Sequence, residues 1–358
     1  MKQGKENEYM AFDNLKEMIL PRHTDFPKLV VDDTRCNGCG RCVATCPIQL
    51  LMLNSDNKCR SNERYDAFRC ITCQNCMAVC PANAIYIDGA YRVHGGFWEN
   101  APLFDQKTMT WPDPLVSGHE KSFEAQASEL NEVEKVIYNR RSIRLYKKKQ
   151  VPVELIHRII EAGRYAPSAG NNQPWKFIVI QDKALIDEIN TRCKQALKVH
   201  TRLTLPPAWL EKKVPGDKDA GFAWWQKILL PLLVRWRPGD TDQRVRGGVN
   251  TVTSDPDYHI FFHAPTLILQ LADRRAIGGT EYDSGICAQN MVLAAHALGL
   301  GTCYIGLIDG LKLHGKFRRE VLGVVDPFEI VMAVTLGYPA GKIDKPVRRE
   351  APRVAWFK

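Results

Sequence analysis

Eight of the twelve cysteines in this chain fall into two identical runs, and no other feature restricts the fold so tightly. The first run is Cys36, Cys39, Cys42 and Cys46 followed by Pro47; the second is Cys70, Cys73, Cys76 and Cys80 followed by Pro81. Each reads C-x2-C-x2-C-x3-C-P. The two runs align at a fixed offset of 34 residues, and the alignment extends beyond the cysteines: Arg35 matches Arg69, and Leu50 to Leu53 match Ala84 to Ile87. An internal repeat of this kind predicts a small pseudo-twofold module.

The chemistry of so many thiols narrows quickly. The N-terminal MKQGKENEYM has no apolar core of the signal-peptide kind, so the expected compartment is the cytoplasm, where thiols stay reduced and disulfides do not explain them. Zinc sites use four ligands in two CxxC-like pairs and would leave the third cysteine of each run without a purpose. A cubane [4Fe-4S] cluster accounts for all of them. Three thiolates in a tight loop hold three irons, and the fourth cysteine, turned away by its proline, ligates the other cluster. This is the spacing of bacterial two-cluster ferredoxins. One cluster is therefore expected on Cys36, Cys39, Cys42 and Cys80, and the second on Cys70, Cys73, Cys76 and Cys46. Cys59 lies between the runs and outside both patterns. Cys193, Cys287 and Cys303 sit in apolar segments, where a free cysteine is usually a small buried residue.

With 358 residues, 45% apolar and 25% charged, the chain can bury two separate cores. Its apolar runs from Ile228 to Val234 and from Ile260 to Ala272 are broken by Pro231, His263 and Pro265, so neither is expected to span a bilayer. The net charge of +9 comes almost wholly from residues beyond 95. Such a surface can steer an acidic redox partner or simply aid solubility, and part of the excess can serve an anionic cofactor. Nucleic acid is not expected, since there is no zinc knuckle, ribonucleoprotein motif or basic helix with heptads.

After the cysteines, residues 91 to 127 carry Gly95-Gly96, Trp111-Pro112, Asp113-Pro114 and Ser117-Gly118 and little apolar periodicity, which reads as a long linker. Helix and strand patterns then alternate. Glu132 to Arg141 reads as helical, and Val153 to Ala166 places Ile156, Ile159, Ile160 and Gly163 on one helix side. Phe177 to Gln181, Thr266 to Ala272, Thr302 to Ile308 and Glu329 to Leu336 read as buried strands. Gly285 to Leu298 is apolar almost all round, as in a helix at the centre of a domain or dimer. The class is α+β or α/β, and without a G-x-G-x-x-G after a strand a Rossmann domain is disfavoured.

Four stretches carry a family resemblance. Arg140-Arg141-Ser142-Ile143-Arg144 followed by Pro152, then Ala166-Pro167-Ser168-Ala169-Gly170-Asn171-Asn172-Gln173-Pro174-Trp175, then Leu298 to Gly306 (LGLGTCYIG), and finally Leu336-Gly337-Tyr338-Pro339 with the basic stretch Lys345 to Arg349 resemble, in order, the motifs of the nitroreductase family. The resemblance covers roughly residues 131 to 350. It implies an α+β fold, a nitroreductase-like α/β sandwich with a mixed central sheet flanked by helices, beside a small ferredoxin-like α+β domain. It implies FMN as cofactor, bound at the interface of a homodimer. Arg140, Arg141, Ser142 and Arg144 would serve the phosphate, the ribityl chain and the N1/O2 edge, roles that forked and hydroxyl donors suit. Pro167, Ser168, Ala169, Asn171 and Gln173 would reach the flavin of the other subunit. Tyr304, Ile305 and Gly306 would lie against the ring near N5, and Arg348 and Arg349 would add cations to the phosphate site. The domains expected are 1–95 for the clusters, 96–130 as linker and 131–358 for FMN. Residues 198–258 exceed a minimal member and hold Trp209, Trp224, Trp225 and Trp236. They read either as a cap over the substrate or as packing of the added segment. His259 and His263 read as structural.

The resemblance and the cysteines together imply an oxidoreductase in which a donor, ferredoxin, flavodoxin or NAD(P)H, reduces the clusters and FMN, and a small organic acceptor such as a nitro compound or activated alkene takes the electrons. No catalytic acid or base is expected. A dehydrogenase running electrons from substrate to clusters, an oxygen-consuming flavin enzyme, and a non-enzymatic relay or sensor stay open.

Overall fold

The computed structural model describes residues 23–63, 70–94, 104–116, 122–204, 249, 251–341, 346–352 and 354–357. The tryptophans of the 198–258 segment and Lys345 lie outside the described residues. The chain divides into two compact units, one drawn from Met1–Thr110, Val199–Thr251 and Val347–Lys358, the other from Trp111–Lys198 and Val252–Pro346. The architecture is α+β.

In the first unit, β1 (His23–Asp25), β2 (Lys28–Val31), α1 (Arg41–Thr45), β3 (Leu51–Leu53), β4 (Cys59–Ser61), α2 (Asn75–Ala78), β5 (Ile85–Asp88), β6 (Ala90–His94), β7 (Phe104–Asp105) and β8 (Met109–Thr110) follow in order. β2 pairs antiparallel with β5, and β3 forms a hairpin with β4. The repeat in the cysteines is also a repeat of backbone shape. Left-handed φ angles occur at Gly38 (70°) and Thr72 (56°), at Gly40 (70°) and Gln74 (59°), and at Gln49 (52°) and Asn83 (50°); the members of each pair stand 34 residues apart. Gly40 and Gln74 are the residues that open α1 and α2. Hydrogen bonds repeat in the same way: the Leu50 amide donates to Cys46 Sγ and the Ala84 amide to Cys80 Sγ, each at 3.3 Å. Two halves with few apolar residues each thus share one small core of Leu51, Ala84, Ile85 and the thiols themselves.

The stretch expected as a linker carries structure of its own. Tyr91 is fully buried and packs edge-to-face on Phe26 at 5.4 Å, and β6 pairs with β1 and with β7. Aromatic burial of this size outweighs the glycines and prolines around it. The closing segment adds β13 (Arg349–Glu350), which pairs antiparallel with β8.

In the second unit α3 (Phe123–Gln126) precedes α4 (Glu132–Asn139), which opens with a capping box in which Asn131 and Glu134 satisfy each other's backbone amides. Then come α5 (Val153–Arg164), β9 (Trp175–Ile180), α6 (Lys183–Thr204, of which residues 183–198 belong to this unit), β10 (Thr266–Asp273), α7 (Thr280–Ala297), β11 (Gly301–Tyr304), α8 (Gly315–Glu320) and β12 (Phe328–Gly337). The sheet order is β11-β12-β10-β9. Its named strands pair antiparallel, and a parallel bridge joins Ser142 to Thr302 beside β11. β10 is covered on both faces. Leu267, Leu269 and Leu271 pack with Ile189, Cys193 and Phe261, while Ile268 packs with Ile156, Ile159 and Met291 of α5 and α7. Each such side chain contributes roughly 1.5–3 kcal/mol on burial. The strand expected from Thr302 to Ile308 stops at Tyr304, because Gly306 starts a 3-10 helix that runs to Leu313.

Candidate functional sites

Two cavities in the first unit are walled by the repeated cysteines. One is lined by Cys36, Cys39, Cys42 and Cys80; the other by Cys46, Cys70, Cys73 and Cys76. Each therefore takes three thiols from one run and the fourth from the other. The left-handed turns before α1 and α2 direct three side chains inward within seven residues, and the loop before Pro47 or Pro81 carries the fourth across. All eight are free thiols; Cys36, Cys42, Cys76 and Cys80 are buried and Cys39 is exposed. Burial, and then the neighbouring Cys73, Cys70 and Cys46 thiols, push Cys76 well above the ordinary thiol range. Four crowded thiols of this kind favour a cationic group that takes them as thiolates.

The wall chemistry also fits a group that accepts hydrogen bonds. Asn75 lines the second cavity, and its Nδ2 is buried with no hydrogen-bond partner. Among the described residues no three His, Cys, Asp or Glu side chains converge as ligands of one metal ion. A cubane places one protein thiolate on each of its four irons and so spreads them around a larger volume.

Cys59 is a wall residue that its position outside both patterns does not announce. It is 0% exposed and lines the first cavity. Its hydrogen bond to Cys42 is the main cause that brings the Cys42 thiol down to about 7. The only sign in the sequence is its place between the runs, where a hairpin folds it back: Cys59 pairs with Leu53, which lines the same cavity.

In the second unit, three of the four motif stretches come together. Ser142 bridges to Thr302, and the Ile143 amide donates to the Thr302 carbonyl at 2.8 Å. A Cβ on Gly301 would meet Ile143 at 2.6 Å, so only glycine lets the two segments lie this close. Tyr146 bridges to Pro339, and its hydroxyl lies 2.7 Å from the Ile143 carbonyl and 2.8 Å from the Thr335 hydroxyl. The Lys147 amide donates to the Tyr338 carbonyl at 2.8 Å. Arg140 to Arg144 is thereby fastened along β11 and the end of β12.

That segment is electropositive and incompletely satisfied. Arg144 Nη1 is buried without a hydrogen-bond partner, with the guanidinium 5.7 Å from the Phe262 ring centroid. Burial, then the charges of Arg140 and Arg141, lower the pKa of His296 on α7. Burial pushes Tyr304 up to about 12, and its hydroxyl donates to Gln289 Oε1 at 3.2 Å. Gln289 and His296 were masked in the sequence by the apolar character of their helix. Ile305 is buried and its amide donates to the Ala333 carbonyl at 2.9 Å, which leaves Gly306 exposed at the strand end.

The Pro167–Gln173 segment has other partners. Ala169 lies in a 3-10 turn with Asn171, and its amide donates to Asp283 Oδ2 at 3.2 Å in the first turn of α7. Ser168 Oγ accepts from the Gln173 amide at 3.0 Å. Pro167, Asn171 and Gln173 are exposed, and Asn171 and Gln173 hold φ angles of 52° and 48°. Asparagine tolerates this region, whereas a glutamine there is strained and persists where its surroundings require it. Arg348 and Arg349 belong to the first unit: the Arg348 carbonyl accepts from Gln74 Nε2 at 3.0 Å, and Arg349 lies opposite Thr110. His259 packs as a buried structural histidine, its Nε2 3.2 Å from Asp187 Oδ1.

Two family models match the chain. The model of the nitroreductase family matches residues 137–338, and that of the 4Fe-4S dicluster domain matches residues 35–90. The NADH dehydrogenase of Thermus thermophilus is 53% identical over 203 residues, which is 56% of this chain and 83% of that protein. The nitrobenzene nitroreductase of Ectopseudomonas oleovorans is 28% identical over 207 residues, 58% of this chain and 86% of that protein. Among solved structures, a nitroreductase with bound FMN from Bacteroides fragilis is 26% identical and covers 64% of this chain and 100% of its own, with a TM-score of 0.45. No helix among the described residues is long and apolar enough to cross a membrane. The chain belongs to the nitroreductase family and is an oxidoreductase of that type, with a 4Fe-4S dicluster domain at its N-terminal end.

Proposed function

We propose that this chain is an iron–sulfur flavoprotein that passes electrons from a donor, through two [4Fe-4S] clusters and FMN, to a small organic acceptor such as a nitro compound or an activated alkene. The observation that carries this reading is the presence, in one nitroreductase chain, of two cavities each walled by four of the repeated thiols. When bound, the clusters supply one-electron transfer, and the flavin supplies exchange between single electrons and pairs.

The residues of the chain divide the work. Cys36, Cys39, Cys42 and Cys80 hold one cluster, and Cys70, Cys73, Cys76 and Cys46 the other. Arg140, Arg141 and Ser142 offer donors to the phosphate and ribityl chain, and Arg144 offers its unsatisfied Nη1 to the pyrimidine edge. Such charge-assisted bonds contribute about 1.5–3 kcal/mol each. Tyr304, Ile305 and Gly306 form a wall on which small side chains matter. The exposed Pro167, Asn171 and Gln173, with the half-buried Ser168 and Ala169, act across a homodimer interface. Arg348 and Arg349 add positive charge. No side chain is assigned as acid or base. The protein works in the cytoplasm.

The donor separates two readings. Ferredoxin or flavodoxin suits the fused module, whereas the name of the Thermus relative favours NADH. Anaerobic protein is titrated with reduced ferredoxin and, separately, with NADPH or NADH while flavin absorbance is followed. Bleaching by ferredoxin that disappears when Cys36 and Cys70 are both replaced by alanine supports entry through the clusters. Flavin that stays oxidised after the clusters are reduced refutes it. Replacing Arg144 by methionine should weaken FMN binding about 10- to 100-fold, read by ultrafiltration.

A further inference from the structure

The two cysteine cavities are alike in ligand number and different in what else faces them. At matched positions of the repeat stand Arg41 and Asn75; Arg41 is absent from the wall of the first cavity, while Asn75 lines the second. Asn75 is 7% exposed, and its Nδ2 is buried with no hydrogen-bond partner. Its backbone is fixed as the first residue of α2, where its carbonyl accepts from Val79 at 3.0 Å. A dry, unpaired amide N–H is costly and normally marks a partner not yet counted. The rest of that wall is mainly apolar side chains and the four cysteine sulfurs. The asparagine on the first wall differs. Asn37 is exposed, and its Oδ1 accepts from the Cys39 amide at 3.3 Å.

We propose that the Asn75 side-chain amide donates a hydrogen bond to a sulfur of the cluster in the second cavity and raises the reduction potential of that cluster. The inference rests on the assignment of [4Fe-4S] clusters to the two cavities made above. Reduction adds negative charge that spreads onto the sulfurs, so a buried donor stabilises the reduced form more than the oxidised one. Asn75 is then a positioning and tuning residue, not a ligand. The backbone amides that reach cysteine sulfurs are repeated in both halves; this side-chain donor is not.

The test uses full-length protein reconstituted anaerobically, with iron analysis and redox titration followed by electron paramagnetic resonance. Native protein should hold about eight irons in two titrating clusters; without them the cluster assignment itself fails, whatever Asn75 does. The signal absent in Cys46→Ala identifies the second cluster. With clusters present, Asn75→Leu and Asn75→Asp should both keep the full iron content and lower the potential of that cluster alone, Asp more than Leu because a carboxylate adds negative charge. Unchanged potentials in both variants overturn the proposal. So does an equal shift of both clusters, or loss of half the iron in the nearly isosteric Asn75→Asp, which would make the residue a ligand or a structural prop. Should Asn75→Leu fail to fold, the neutral Asn75→Ala takes its place, because the charge of Asn75→Asp shifts the potential by itself.

Discussion

The two halves of the N-terminal repeat follow the same backbone path with different side chains. Gly38 and Thr72 share a left-handed conformation, yet only one of them is glycine. Above Gly38 lies the turn of the β3–β4 hairpin, and a Cβ there would drive into the Asn57 carbonyl oxygen. Thr72 has room for its side chain, whose hydroxyl donates to the Ile71 carbonyl at 2.7 Å. The lesson is that the thiol geometry sets the backbone in both halves, while the local roof decides which residue each turn admits. The left-handed residues Thr72 and Gln74 each stand between cysteines that line the second cavity.

The comparison breaks most visibly at the crossed cysteines. Cys46→Ala should abolish the same cluster signal as Cys70→Ala, about half the iron, and spare the one removed by Cys36→Ala. If Cys46→Ala and Cys36→Ala remove the same signal, the halves do not exchange ligands. Gly38→Ala comes next, with a loss of roughly 2–4 kcal/mol from the left-handed penalty and the carbonyl clash together, read by denaturant unfolding.

Acid provides a comparison with the second unit. Burial first, and then His263, depress His259 to about 4. The neutral form is favoured in the folded state, so its contribution is present above pH about 6.5 and is lost as pH falls toward 4. The expected loss is at most about 3 kcal/mol, and His259→Asn should flatten that part of the stability profile. Stability differences within the repeat are therefore best measured above pH 7. There Gln49→Gly should stabilise by about 1 kcal/mol through relief of its left-handed φ, while Asn83→Gly should change stability by under about 0.5 kcal/mol, since asparagine tolerates that region.

How much of this could be read beforehand depended on the kind of constraint. Which of the repeated cysteines share a cavity follows from covalent spacing and was legible to the residue, down to the exchange of Cys46 and Cys80 between cavities. The helices α4 and α5 and the strands β10 and β12 were legible because their apolar periods are long. Structure inside 96–130 was not, since β7 and β8 are two residues each and β8 is held by a partner far away in sequence. The meeting of Arg140–Arg144 with β11 was hidden for a related reason: it depends on Ile143 packing over Gly301, a long-range fit with no local signature. Cys59 and Asn75 escaped because a thiol or amide declares its role only through what surrounds it.

The pairing of β13 with β8 and the bond from Gln74 to Arg348 have a consequence for how the protein is made. A ribosome finishes the strands and helices of the second unit before it reaches residues 347–350, so the unit begun first is closed last. A nascent or truncated chain ending near residue 346 would hold every residue of the second unit and a first unit still missing its final stitch.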